Sequence, residues 1–204
     1  MVGSDRVEVR NVAVVGAGTM GAGIAQVCAQ IGWQTRLHDA FPEGLDRGMA
    51  AIEGFWDKGI ERGKTSADQK AEWLGNLRAV NDLAEAVEGA DLVIEAVPES
   101  MQLKQDIFAE LERLAPSHAM LATNTSGLPI SEIAQSTGCP ERIIGMHFFN
   151  PVPLMSLLEL VRHDTVSEET IAAAQSIGSA MGKTTIVVRD VPGFATSRLG
   201  VVLG

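Results

Sequence analysis

The stretch Asn11–Asp39, "NVAVVGAGTMGAGIAQVCAQIGWQTRLHD", decides how the chain is read. It passes from an apolar β-branched segment through a glycine turn to a segment of helical periodicity, then to a second β-branched segment ending on an acid. Gly16, Gly18 and Gly21 make G-x-G-x-x-G between a strand ending at Val15 and a helix whose apolar face begins near Met20. The three glycines serve different ends, in order a tight turn, close approach of backbone to a pyrophosphate, and close packing of helix on strand. Such a pattern is also compatible with an ordinary strand-to-helix turn. Here strand and helix flank it, and Asp39 follows Gly21 by 18 residues at the end of the second strand. A carboxylate there accepts hydrogen bonds from a ribose diol and repels a 2′-phosphate, and no arginine follows in "HDAFPE", so NAD is expected to bind far better than NADP.

The bulk properties frame that expectation. With 204 residues and 46% hydrophobic side chains, the chain can bury a core as one domain, or one domain plus a fragment of another. Sixteen basic against 26 acidic side chains give a net charge of −10, without a basic tail, which weighs against nucleic acid or an anionic membrane as partner. An anionic ligand must therefore be held locally, and a helix N-terminus supplies such a site. Cys28 and Cys139 are too few and too separated for a disulfide framework, so a cytoplasmic, reducing setting is expected. "MVGSDRVEVR" lacks the apolar stretch of a signal peptide, and no apolar run approaches the roughly 18 residues of a membrane span. His38, His118, His147 and His163 lack ligand spacing, and no metal site is expected.

β-branched runs recur at "VAVVG", "TRLHD", "DLVIEAV", "AMLATNTS", "RIIGMHFF", "LLELV" and "TTIVVRD", separated mostly by helical periodicity. That alternation predicts an α/β fold of the Rossmann type, doubly wound around a mainly parallel sheet. Met101–Leu114 carries apolar residues at 103, 107, 108, 111 and 114 on one helical face. Pro42–Gly75, interrupted at "RGKTSAD", reads as a helical hairpin over about 43–75 projecting from the sheet. Several strands end in polar sequences, and in an open parallel sheet those ends form the ligand crevice.

The reactive candidates lie in "MHFFNPVPLMSLLELV". His147 ends a strand, and Glu159 interrupts the next apolar run 12 residues later. A buried carboxylate needs a partner. Pairing with His147 would fix the imidazole tautomer and leave the other ring nitrogen to take a hydroxyl proton, as in alcohol oxidation. A backbone-bonded histidine and a water-facing edge carboxylate are the alternatives. Asn150, before Pro151, and the cluster Asn124 with Ser126 could bond nicotinamide, ribose or a substrate oxygen, or merely cap turns.

The blocks "VAVVGAGTMGAGIA", "DLVIEAVPE", "NTSGLPI", "HFFNPVPLMSLLELV" and "DVPGF" closely resemble the L-3-hydroxyacyl-CoA dehydrogenase family, including bacterial 3-hydroxybutyryl-CoA dehydrogenases, over nearly the whole chain. The resemblance implies reversible oxidation of an (S)-3-hydroxyacyl-CoA to the 3-oxoacyl-CoA, within fatty acid or butanoate metabolism. It implies His147 as base, Glu159 as its partner, and Ser126 and Asn150 beside the reacting groups. Cofactor contacts are implied at Gly16, Gly18, Thr19, Met20, Gly21, Asp39, Ala96, Glu99, Lys104, Asn124, Ser126 and Asn150. Read alone, Glu99 is an exposed strand-end acid and Lys104 a helix-surface lysine. In the hairpin, Lys58, Arg62 and Lys64 form a basic cluster suited to CoA phosphates, or a solvated charged face.

Two positions depart from the family pattern: Ser197 stands where an asparagine is common, and Phe55 where a CoA-binding serine is expected. Related NAD-dependent dehydrogenases of non-CoA hydroxy acids, of the gulonate type, and silent crystallin-like NAD-binding proteins remain rival readings. Residues 1–192 are expected to form the NAD-binding domain and 193–204 to begin a truncated all-helical domain of roughly 100 residues. In the resembling family that domain closes the substrate crevice and makes a homodimer. The polypeptide ending at Gly204 is therefore expected to bind NADH but to turn over acetoacetyl-CoA at least about 10²-fold more slowly than an extended one.

Overall fold

The computed structural model describes residues 8–194. Ser197, the helix expected near Thr196 and nearly all of the expected second-domain start lie outside the described residues. Within them the expected alternation is present. Strand β1 (Asn11–Val15) leads through the glycine turn to helix α1 (Thr19–Gln30), then β2 (Gln34–His38) and the hairpin α2 (Pro42–Glu61) and α3 (Ala67–Gly75). There follow β3 (Leu77–Val80), α4 (Leu83–Val87), β4 (Leu92–Glu95), α5 (Met101–Leu114), β5 (Met120–Thr123) and α6 (Ile130–Ala134). The described chain continues with β6 (Ile143–Phe148), β7 (Leu157–Arg162), α7 (Glu168–Ala180) and β8 (Thr184–Arg189).

The eight strands form one sheet in the order β3-β2-β1-β4-β5-β6-β7-β8. All neighbours pair in parallel except β6 and β7, which are antiparallel. The order reverses between β1 and β4, so a ligand crevice opens above the carboxyl ends of those two strands. Alternation along each strand feeds two apolar layers: Val12 and Val14 join one cluster, Ala13 and Val15 the other. In β6, Ile144, Met146 and Phe148 face the first layer. Ile143 faces the second, and by the same alternation so do Gly145 and His147.

Strand β3 lies outside the β-branched runs of the sequence. Its four residues "LRAV" are buried only at the two ends, so this short edge strand has no apolar run to betray it. The hairpin is anchored by Leu45, Ile52 and Trp56, all buried, with Trp56 and Trp73 in ring contact at 5.5 Å. Ser66 and Gln69 form a capping box that starts α3. Helix α5 packs four residues of the expected stripe on the second layer, Phe108 and Leu111 buried and Ile107 and Leu114 partly so; Lys104 is buried with them, while Leu103 is exposed and lines the crevice. Among the described residues no helix is long and apolar enough to cross a membrane.

Candidate functional site

A cleft of about 1410 Å³ opens at the strand-order reversal, lined by Gly16–Met20 after β1, His38–Phe41 after β2 and Ala96–Pro98 after β4. The three glycines have separable steric reasons. Gly16 has φ +101°, and a Cβ there would lie 2.7 Å from the Ala96 carbonyl oxygen. A Cβ on Gly21 would lie 1.7 Å from the Gly16 oxygen, so only glycine lets α1 start this close to the turn. Gly18 has no heavy atom within 4 Å of its Cβ position, the open approach a phosphate needs. Gly18 is also the N-cap of α1 and gives it no side-chain cap, and the first turn carries no acid, so its amides are free to meet an anion. The residues present thus fit a dinucleotide. Thr19, Met20 and Ala96 line the cleft; Gly21 does not.

Asp39 is fixed at the far end of the turn. Its Oδ2 accepts from the Ala17 amide at 2.8 Å and its Oδ1 from the Phe41 amide at 2.9 Å. These bonds hold the carboxylate in place on the cleft wall.

Below the end of β4 lies a charged network. Lys104, far from being a helix-surface lysine, is fully buried and donates to Glu95 Oε1 at 2.7 Å and to the Val97 carbonyl at 3.3 Å. Glu95, also fully buried, further accepts from the Thr123 hydroxyl and the Val97 amide, each at 2.7 Å. Lys104 Nζ lies 3.6 Å from Glu99 Oε2. Glu99 in turn accepts from the Thr125 hydroxyl and, at 3.1 Å, from the Ser126 amide. Partial burial alone would raise the Glu99 carboxyl, but the Thr125 hydrogen bond, the Lys104 charge and the Ser126 amide outweigh it and hold the group below its usual range. Glu95 is absent from the candidates drawn from sequence, yet its signal resembles that of Glu159: one carboxylate inside an apolar strand, here "DLVIEAV".

His147 and Glu159 are paired in register across β6 and β7, which turns a separation of 12 residues into a contact of 2.7 Å between Nδ1 and Oε2. His147 is 7% exposed and Glu159 fully buried, which rules out the water-facing alternative. A carboxylate can only accept, so Nδ1 is the donor of this contact, and the tautomer it selects leaves the lone pair on Nε2. Phe149 and Phe194 stand 4.5 and 5.8 Å from the imidazole, ring centre to ring centre. Phe194 has φ 45°, uncommon for a residue with a side chain, in the "DVPGF" turn.

The remaining candidates separate into two groups. Asn124 Oδ1 accepts from the Phe148 amide at 2.9 Å, tying the end of β5 to that of β6, and Ser126 is exposed beside Glu99. Asn150 is exposed on the loop between β6 and β7. Val152 of that loop is buried where a Cβ on Gly23 of α1 would meet it at 3.0 Å, and Lys183 Nζ clamps the loop through the Val152 and Met155 carbonyls. Lys58, Arg62 and Lys64 are exposed, and none of them lines the cleft. Phe55, 37% exposed, precedes Lys58 by one turn.

A sheet wound in this way around a glycine turn places the chain in the Rossmann class of dinucleotide-binding proteins. Residues 11–191 match the model of the "3-hydroxyacyl-CoA dehydrogenase, NAD binding domain". The chain belongs to that family, and its cofactor is NAD. It is 42% identical over 192 residues to a probable 3-hydroxybutyryl-CoA dehydrogenase of Bacillus subtilis, covering 94% of this chain and 67% of that one. Among solved structures, the 3-hydroxybutyryl-CoA dehydrogenase of Escherichia coli K12 superposes with TM-score 0.91 at 38% identity, over 95% of this chain and 41% of that one. The (S)-3-hydroxybutyryl-CoA dehydrogenase of Ralstonia eutropha gives TM-score 0.91 at 34% identity, over 97% and 74%. The chain spans 65–67% of the length of the curated relatives it matches.

Proposed function

We propose that this chain carries the cofactor site and the proton-transfer pair of an enzyme interconverting (S)-3-hydroxyacyl-CoA and 3-oxoacyl-CoA. The observation that carries the reading is the buried 2.7 Å contact of His147 with Glu159, on strands two and three places along the sheet from β4. NAD, when bound, supplies the hydride acceptor. Glu159 holds the imidazole by Nδ1 and offsets the positive charge that appears when Nε2 takes the substrate hydroxyl proton. Asn150 and Ser126, both exposed just past the ends of β6 and β5, are the proposed hydrogen-bond partners of the substrate oxygen or the cofactor. Asn124 and the Glu95–Lys104–Glu99 network hold together the ends of β4, β5 and β6. Lys58, Arg62 and Lys64 are the proposed contacts for CoA phosphates. Two free cysteines, one of them buried, fit a cytoplasmic setting.

The test is NADH consumption by this chain with acetoacetyl-CoA, compared with free acetoacetate and with NADPH. Acetoacetyl-CoA with NADH is expected to be the preferred pair by a wide margin. Equal rates with the free acid would point to a non-CoA substrate, and NADH binding without any turnover of either substrate would overturn the catalytic reading.

A further inference from the structure

The cofactor cleft contains a cation that no interaction explains. Among the described residues lining it, Asp39, Glu43, Asp82 and Glu110 are acids, and Arg47 is the one permanent cation. Arg47 is exposed and makes no hydrogen bond or ion pair with any described residue. Glu43 stands four residues earlier on the same helix, the spacing of a helical ion pair, yet the two do not pair. A solvated arginine on a helix surface is ordinary. The seating of this helix turn is not.

Two glycines bring α2 down onto the cofactor turn, one on either side of Arg47. A Cβ on Gly48 would lie 2.6 Å from the Ala17 carbonyl oxygen, so the helix touches the backbone between Gly16 and Gly18. A Cβ on Gly44 would lie 3.1 Å from Asp39 Oδ1. Arg47 is adjacent in sequence to the first contact and one turn from the second, and its side chain borders the same cleft. The amides of the glycine turn can bond a pyrophosphate but bring no net charge, while four carboxylates line the space into which that dianion must come. A guanidinium is the side chain best suited to phosphate, through its planar fork of donors.

We infer that Arg47 is the counter-charge for the pyrophosphate of the bound dinucleotide, an inference that rests on the cleft being the NAD site. The experiment uses the whole chain and titrates NADH by fluorescence, with ADP and adenosine as competitors, for wild type, Arg47→Gln and Arg47→Lys. Arg47→Gln is expected to weaken NADH and ADP roughly tenfold while leaving adenosine within about twofold, and to flatten the salt dependence of NADH binding. Arg47→Lys should recover part of the loss, because it restores charge without the fork. Unchanged NADH affinity in Arg47→Gln, or an equal loss for adenosine, would overturn the inference while leaving the cofactor site intact. Failure of the wild type to bind NADH would instead remove the cofactor reading and this inference with it.

Discussion

His147 and Glu159 stand directly opposite each other on antiparallel strands, and their side chains close to 2.7 Å on the face that packs against α5 and α6. On the proposed chemistry, His147→Gln removes the group that takes the hydroxyl proton in oxidation and returns it in reduction, and should lower kcat for acetoacetyl-CoA reduction by about 10²–10⁴-fold. Glu159→Gln keeps the base and weakens only its orientation and charge stabilisation, so its loss should be smaller. NADH affinity should barely change in either variant, which fluorescence titration would check. Wild-type turnover by His147→Gln would exclude this histidine from the reaction.

Lys104 and Glu95 are both fully buried, which makes their pairing one-sided in its energetics. Glu95→Gln removes the fully buried partner of the Lys104 ammonium and leaves it only Glu99, 3.6 Å away, so it should cost about 3–5 kcal/mol in urea unfolding. Replacing both, with Glu95→Leu and Lys104→Met, should recover most of that stability, since no uncompensated charge remains. A double variant as unstable as the single one would mean that Thr123 and Val97, rather than the ion pair, hold this end of the sheet.

Glu99 has its carboxyl held below the ordinary glutamate value of 4.5 despite partial burial. A group depressed on folding stabilises the native state above its unfolded pKa, and that contribution disappears as pH falls through the folded value. Melting temperatures of wild type and Glu99→Gln should therefore differ at neutral pH and converge in acid below about 4.5. Parallel curves down to strong acid would contradict the assigned interactions with Thr125, Lys104 and Ser126.

Cys28 is completely buried on α1, and burial pushes its thiol up to about 12. Cys139 is only half-buried. In native buffer near pH 8 an aromatic disulfide reagent should label Cys139 and leave Cys28 unmodified until denaturant is added, since the thiolate is the nucleophile. Rapid labelling of two thiols per native chain would show that α1 opens far more readily than its packing implies.

The first β-α-β unit is legible in the sequence because three local signals agree: a β-branched run, a glycine turn that opens a helical segment, and a second β-branched run ending at an acid. Glu159 is legible as an anomaly, a carboxylate in "LLELV". Its pairing with His147 becomes physical only through the antiparallel register, because sequence patterns do not fix pairing direction. Lys104 is hidden for the opposite reason. It follows Leu103, the one exposed residue of the predicted stripe, and a lysine carries no apolar signal for the buried position beside it. Arg47 lies eight residues beyond Asp39, and only the descent of α2 onto Ala17 brings it to the cleft. No local pattern records that packing.

The crowding around Gly16 and Gly21, and the open space at Gly18, carry a consequence for how such a protein can change over time. On the proposed reading the turn recognises phosphate through main-chain atoms, and a side chain at Gly16 or Gly21 would collide with backbone rather than alter what is bound. Substitution there can abolish recognition but cannot retune it. The turn is equally blind to the difference between two dinucleotides that share a pyrophosphate. Any lineage drifting toward a different redox pool must do so through Asp39 and the residues around it, leaving the glycines as inherited and unchanging hardware.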